Sequence, residues 1–386
     1  MPDARLRKAL PEYDDKRPSI LSSLLIVAGA LALAAFNREA LPPQPPPPPS
    51  HRSGAPRWRV DFLVRQLLRA KEHGRGREAT SPAHIPWKGW QDIFWRTVAQ
   101  VSRNRLLAIA AGVVFYGLLA LFPAITALVS AYGLFTDSAT IRDHLSFAAE
   151  VMPADAYSIV QDQIERVVAK GDAKLSFGFM FGLALALWSA NAGMKAVIDA
   201  LNVVYAEEEK RGFIRLNLIS LAFTAGAVAA VLVAVGAVVV TPLVLQRLGF
   251  GALTESIVRI VRWPALVLGM LASLAILYRY GPSRREARWQ WLSVGAVIAT
   301  LAWFGASAAL SYYLANFANY DATYGSLGTA IGTMIWMWMS AIVVLLGAAL
   351  NSEIEHQTAM DSTVGPDKPL GTRGATMADT VGAAQT

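Results

Sequence analysis

Beyond residue 100 the chain alternates between long apolar blocks and short polar connections. Six apolar blocks fall near 106–134, 176–204, 213–246, 256–280, 289–314 and 325–352. Each is long enough to supply the roughly 20 helical residues that cross about 30 Å of hydrocarbon. None breaks into short segments alternating with period two, as the strands of a transmembrane barrel do, so backbone hydrogen bonds must be satisfied within helices. The pattern predicts an all-α fold, a polytopic transmembrane helix bundle with six core spans.

The remainder divides by its own patterning. Residues 1–19 form a basic amino-terminal tail. Residues 20–36 form an apolar run of about 17 residues. A signal peptide and an ordinary spanning helix both fit its length, but either places the arginine-rich stretch after it on the wrong side of the membrane. A span with its start outside keeps the core topology but leaves five basic residues on the wrong side. An extra amino-terminal membrane-associated or spanning helix is the reading favoured here; a misassigned start codon would also explain the run. Residues 37–85, containing the tract PPQPPPPPS, read as an extended, basic and largely disordered linker. Residues 86–357 hold the six-span domain and 358–386 a disordered carboxyl-terminal tail. Between the first two spans, Ile141, Leu145 and Val151, then Val160, Ile164, Val167 and Val168, recur at helical spacing around Pro153. They predict either two amphipathic helices lying on the outer membrane surface or a small external cap packed on itself.

Composition supports a lipid environment, since 54% of residues are hydrophobic and only 16% charged, against about 25% charged in soluble chains. Charge sets the orientation. Arg96, Arg103 and Arg105 precede the first span, Lys210, Arg211 and Arg215 join the second to the third, and Arg279, Arg284, Arg285 and Arg288 join the fourth to the fifth. Cytoplasmic loops carry the excess of lysine and arginine, which puts these three places, and both ends of the core, inside. The connection containing Arg247, Arg259 and Arg262 fits that rule less well and is external only because six alternating spans require it. The net charge of +7 is diffuse, which points to membrane lipids as partners before nucleic acid. With no cysteine, disulfides, thiolate metal sites and cysteine nucleophiles are excluded.

Three stretches carry a resemblance. PWKGWQDIFWRTVAQVSRNRLLAIAAGVVFYGLLALFPAITALVSAYGLF, ALWSANAGMKAVIDALNVVY and ATYGSLGTAIGTMIWMWMSAIVVLLGAALNSEIEH, in that order, resemble the YihY/BrkB family of bacterial inner-membrane proteins, over about residues 86–357. The resemblance implies a six-helix protein of the cytoplasmic membrane with an unsettled biochemical role. One branch is associated with serum resistance and another with envelope lipid export, and the family once carried the label ribonuclease BN. This chain departs from the family at GAALN, where Ala349 stands in place of the usual glutamate and removes any role for a carboxylate there.

The candidate site lies in the second span, where Asn191, Lys195, Asp199 and Asn202 are spaced four, four and three and form one helical stripe. Charges at mid-depth cost about 2.5–3.5 kcal/mol each on insertion scales, so these two must be shallow, paired or turned inward. Lys195 at the cytoplasmic headgroups with its stem snorkelling, and a stripe lining a cytoplasmic-side cavity, are compatible readings. Pro123, with Tyr116 two turns earlier, marks a helix break or a packing kink in span one. Gly178 and Gly182 in span two, and Gly325, Gly328 and Gly332 in span six, are placed for close helix packing.

Enzyme chemistry finds no foothold. Glu353 and His356 have the Glu-x-x-His spacing in a single copy, the other histidines are scattered, and no phosphate, dinucleotide or nucleophile-elbow motif occurs. The expectation is a non-enzymatic protein with no metal and no cofactor that transports, or helps export, an envelope lipid or other amphiphile. The rival is a structural protein with envelope protein partners; a membrane ribonuclease is the weakest of the three.

Overall fold

The computed structural model describes residues 57–133, 177–235, 252–316 and 327–385, all within one compact unit, Pro48–Thr386. The 20–36 run, the proline tract, the 137–174 connection and Gly325 lie outside the described residues. In chain order the described helices are α1 (Arg57–Ala70), α2 (Trp87–Arg103), α3 (Leu106–Gly133), α4 (Phe177–Val204), α5 (Phe213–Val235), α6 (Ala252–Tyr280), α7 (Ser293–Asn316), α8 (Leu327–Gln357) and the short α9 (Thr376–Asp379). Single 3-10 turns occupy Pro82–His84 and Trp289–Trp291.

The six long helices α3 to α8 stand where the six apolar runs fall. Four of them are long and apolar enough to cross a membrane, over Phe213–Val231, Ile260–Tyr280, Ser293–Leu314 and Ala330–Gln357. A fifth span is reached if α2 and the first part of α3, bent by 60° between them, count as one. The described residues thus give four to five spans. α8 is the hub, packed on α7, α3, α2 and α4, while α3 and α4 share the most extensive contact in the bundle.

The bend between α2 and α3 has a local cause. Arg105 takes a left-handed backbone, φ 49°, which costs a non-glycine residue roughly 1–2 kcal/mol and cannot continue a right-handed helix. Its carbonyl then accepts the amides of Ala108 and Ile109, starting α3 afresh. The bend separates two kinds of helix: α2 buries one face, Gly89, Asp92, Ile93, Arg96 and Gln100, whereas α3 is apolar throughout. Past the bend α3 stays helical through Tyr116 and Pro123. The sharp change of direction therefore lies at Asn104–Arg105, 18 residues before the proline at which sequence predicts a break.

The core collects at one end of the bundle. Leu106 and Ala110 from the start of α3, Leu201 and Val204 from the end of α4, Tyr278 from α6, Ala296 and Ala299 from α7, and Leu345, Ala348 and Ala349 from α8 are all buried together. The connections 205–212 and 281–292, and both polar ends of the described chain, gather at this same charged end.

Two segments expected to be disordered are folded there. In the linker, residues 57–70 form α1, and residues 71–85 turn back so that Arg77 donates to the Gln357 and Gly382 carbonyls at 3.0 and 2.7 Å. The carboxyl-terminal segment returns along the same end. Arg373, buried, donates to the carbonyls of Ala359, Met360, Lys368 and Ala378, and Met377 enters the core. α1 carries an apolar stripe of its own, but long-range hydrogen bonds from buried arginines to backbone carbonyls hold the two segments to each other and to the bundle.

Candidate functional site

α4 brings its polar residues to the side facing α5 and the turn before it. Asn191 is buried and donates through Nδ2 to Asn217 Oδ1 on α5 at 3.3 Å, while its own Oδ1 is buried with no hydrogen-bond partner. The Lys195 ammonium lies 5.8 Å from the centroid of the Phe213 ring, a cation–π approach at the first residue of α5. Asp199 is exposed. Asn202 is buried and used on both sides: its amide donates to Glu209 at 3.1 Å and its oxygen accepts the Ser283 amide at 2.7 Å, tying two connections to the end of α4.

α5 answers with a stripe that sequence analysis did not single out. Asn217, Ser220 and Thr224 follow one another at helical spacing, and Ser220 and Thr224 are buried. Their hydroxyls donate to the carbonyls of Asn217 and Ser220, at 3.1 and 2.8 Å, which satisfies the donors within the helix. The α4–α5 seam is therefore polar at Asn191, Asn217, Ser220 and Thr224. The outer surface of α5 remains apolar and exposed at Phe213, Ile214 and Leu218.

The other glycine predictions divide. Gly332 is buried, yet a methyl added there meets only Leu314, at 3.8 Å. The backbones of Gly178, Gly182 and Gly328 are helical, and nothing further about their surroundings belongs to the described residues. Close approach occurs instead at Gly295 and Gly347, where α7 and α8 nearly touch. Beside them Asn351, from the GAALN stretch, accepts the Gly295 amide at 2.8 Å and donates to the Leu292 carbonyl at 3.0 Å. It caps the start of α7 from a neighbouring helix, satisfying one of the amides that every helix amino terminus leaves unpaired. Ala349 is fully buried in the apolar core.

A layer of ion pairs closes the charged end. Arg284 and Glu355, exposed 1% and 0%, meet through two bonds of 2.8 Å, and Ser362 donates a third to the carboxylate at 3.1 Å. The Arg284 guanidinium also stacks 4.1 Å from the Tyr205 ring centroid. Arg96 joins α2 to α8 through Glu353 at 2.6 Å and Gln357 at 2.6 Å. His356 approaches the same Glu353 oxygen at 3.3 Å, so the Glu-x-x-His pair is engaged with an arginine. Among the described residues no group of three or more His, Asp or Glu could hold a metal ion.

Glu209 sits in the α4–α5 turn. Burial pushes its carboxyl up, and this is outweighed by Arg211, which donates from its guanidinium and backbone amide, and by Asn202, so that the group is lowered to about 2. Asp361 behaves likewise: burial raises it, and hydrogen bonds from Thr363 and the Lys368 amide, with the charge of Arg373, bring it below the usual carboxylate range.

These features define an integral membrane protein, all-helical, with polar residues in one helix seam and a folded, ion-paired cap at one end. A family model described as virulence factor BrkB matches residues 97–370. The chain belongs to the BrkB family. It is 32% identical over 269 residues to the ribonuclease-like protein YfkH of Bacillus subtilis strain 168, covering 68% of this chain and 93% of that relative. It is 25% identical over 260 residues to a UPF0761 membrane protein of Paraburkholderia xenovorans strain LB400, covering 66% of this chain and 57% of that longer protein. Over 84 residues, 22% of this chain and 28% of the relative, it is 37% identical to a UPF0761 membrane protein of Tolumonas auensis. No solved structure matches the chain.

Proposed function

We propose that this protein moves, or helps move, an envelope lipid or other amphiphile in the bacterial inner membrane, with six core spans and the charged end, including the carboxyl terminus, in the cytoplasm. The observation that carries the reading is the α4–α5 seam. Buried polar side chains inside membrane helices are costly and mark pathways for polar cargo. Here Asn191 keeps an unpartnered amide oxygen next to Asn217, Ser220 and Thr224, while the exposed face of α5 is apolar. A polar seam beside an apolar surface suits a molecule with a polar head and apolar tails. Lys195, near the charged end of α4, supplies a cation for an anionic headgroup.

The reading is non-enzymatic. The name of the Bacillus relative points to RNA, but Glu353 is paired here with Arg96 and His356 lies against that same Glu353 oxygen. The test is lipid movement by purified protein in liposomes, followed with a fluorescent phospholipid analogue reduced from outside. Asn191→Ala and Lys195→Ala should slow movement several-fold while the unfolding temperature stays near that of the parent. Protein that moves no lipid, or variants that move it at the parental rate, would transfer support to a non-transporting envelope role.

A further inference from the structure

α1 carries a second surface that is exposed among the described residues. Gln66 is buried because its amide oxygen accepts the Val381 amide at 2.6 Å, and Arg69 donates to the Val381 carbonyl at 3.2 Å. Those bonds fix one side of the helix to the carboxyl-terminal segment. The opposite side holds Leu63, Val64, Leu67 and Leu68, exposed 41%, 47%, 54% and 64%. Their spacing of one, three and one places all four within a single arc of a helix that turns about 100° per residue. Arg65, exposed and about 60° beyond Leu68 around the helix, puts a cation at the margin of the apolar arc.

A soluble partner or a second copy would need an apolar face of its own with acids at the rim. A lipid leaflet with anionic headgroups offers both at once. The neighbouring helix favours the leaflet. The segment Val381 to Gln385 holds Gln66 of α1 at one end and Arg96 and Asp92 of α2 further along. On α2, Trp87, Phe94 and Trp95 are exposed. Exposed tryptophan is the aromatic class enriched at membrane interfaces, and α2 is turned 60° from the first part of α3.

We propose that α1 is an in-plane helix that seats Leu63, Val64, Leu67 and Leu68 in the headgroup layer of an anionic leaflet beside the charged end of the bundle, held in that pose by the carboxyl-terminal segment. Helices of this build bury their apolar face some 5–10 Å into the headgroup and acyl boundary, and each arginine near an anionic surface adds to the attraction. The inference is independent of whether the protein transports anything.

The absence of cysteine makes a direct test available on the full-length chain. Leu68→Cys, labelled with an environment-sensitive fluorophore, is reconstituted into vesicles of phosphatidylcholine with phosphatidylglycerol, and Met360→Cys, exposed on the carboxyl-terminal segment, serves as the reference. The Leu68 probe should be quenched several-fold more by lipids spin-labelled near the headgroup than the Met360 probe, and several-fold less by aqueous iodide. Replacing phosphatidylglycerol by phosphatidylcholine should weaken the lipid quenching. Adding Leu63→Asp and Leu67→Asp to the labelled chain should bring the iodide quenching of the Leu68 probe to the Met360 level. Iodide protection without lipid quenching would show that protein, whether a second copy or another segment of this chain, covers the face and would overturn the proposal. Equal iodide quenching at both positions, showing a face left in water, would overturn it too.

Discussion

Gly295 of α7 and Gly347 of α8 face each other so closely that a methyl group on the first would run into the carbonyl oxygen of the second and the Asn351 side chain, and a methyl on the second would lie 2.6 Å from the Tyr278 hydroxyl and 2.8 Å from the Gly295 carbonyl oxygen. In a membrane, where lipid tails are as apolar as leucine, close backbone packing of this kind is a principal source of helix association.

Gly347→Ala should therefore destabilise the bundle by about 1–3 kcal/mol, the range for overpacking a filled contact. Gly332→Ala, whose added methyl meets only Leu314 at 3.8 Å, should leave stability almost unchanged. Thermal unfolding of the two variants in one detergent measures the difference; equal unfolding temperatures would contradict the packing described.

The Arg284–Glu355 pair predicts a strongly coupled double mutant. Both side chains are buried, so Arg284→Met leaves a carboxylate without its cation and should cost about 3–5 kcal/mol. Adding Glu355→Leu removes the stranded charge and should recover most of that loss. Additive losses would mean that the carboxylate finds water or another partner when the arginine is gone.

The turn that follows α4 contains Ala206, a left-handed alanine at φ 51°, with Glu207 N–H bonded to the Asn202 carbonyl and Ala206 N–H to the Val203 carbonyl. That is the hydrogen-bond pattern in which glycine is preferred at the left-handed position. Ala206→Gly should raise stability by about 1 kcal/mol, since the side chain alone disfavours the conformation. A lower unfolding temperature for the variant would contradict this account of the turn.

Stability should fall in acid. Against the upward push of burial, hydrogen bonds from Arg211 and Asn202 hold the Glu209 carboxyl down at about 2 in the folded protein, below the ordinary glutamate value of 4.5. A carboxyl depressed by folding stabilises fully above its unfolded pKa, and that contribution disappears as pH drops from near 4.5 towards 2. Asp361, also lowered, acts in the same direction. Parent and Glu209→Gln should therefore differ most in unfolding temperature above pH 5, with the gap closing as acid is added. A gap that is constant with pH would show that the carboxylate charge contributes nothing.

How much of this was legible beforehand depends on the range of the interaction concerned. The starts of α3, α4 and α5, and the placing of Asn191, Lys195, Asp199 and Asn202 on one helix, follow from neighbours within a few positions, because burial in lipid and helical periodicity are local properties of the chain. The partner stripe on α5 could have been found the same way, by asking which polar residues of the next helix recur at the same spacing. The ordered carboxyl-terminal segment could not, since Gly382 and Ala383 are placed by Arg77 and Arg96, about 300 positions earlier.

The sequence by itself determined that this is a membrane-embedded α-helical protein, because long apolar runs without period-two alternation satisfy their backbone in lipid only as helices, and its motif stretches carried the likeness to the BrkB family. Only the tertiary structure decided which glycines touch, which arginine meets which carboxylate, and that α1 and the carboxyl-terminal segment are folded parts of the charged end. Arg96 and Glu353 are 257 residues apart, and no local pattern encodes such a pairing; it is fixed by how the helices pack.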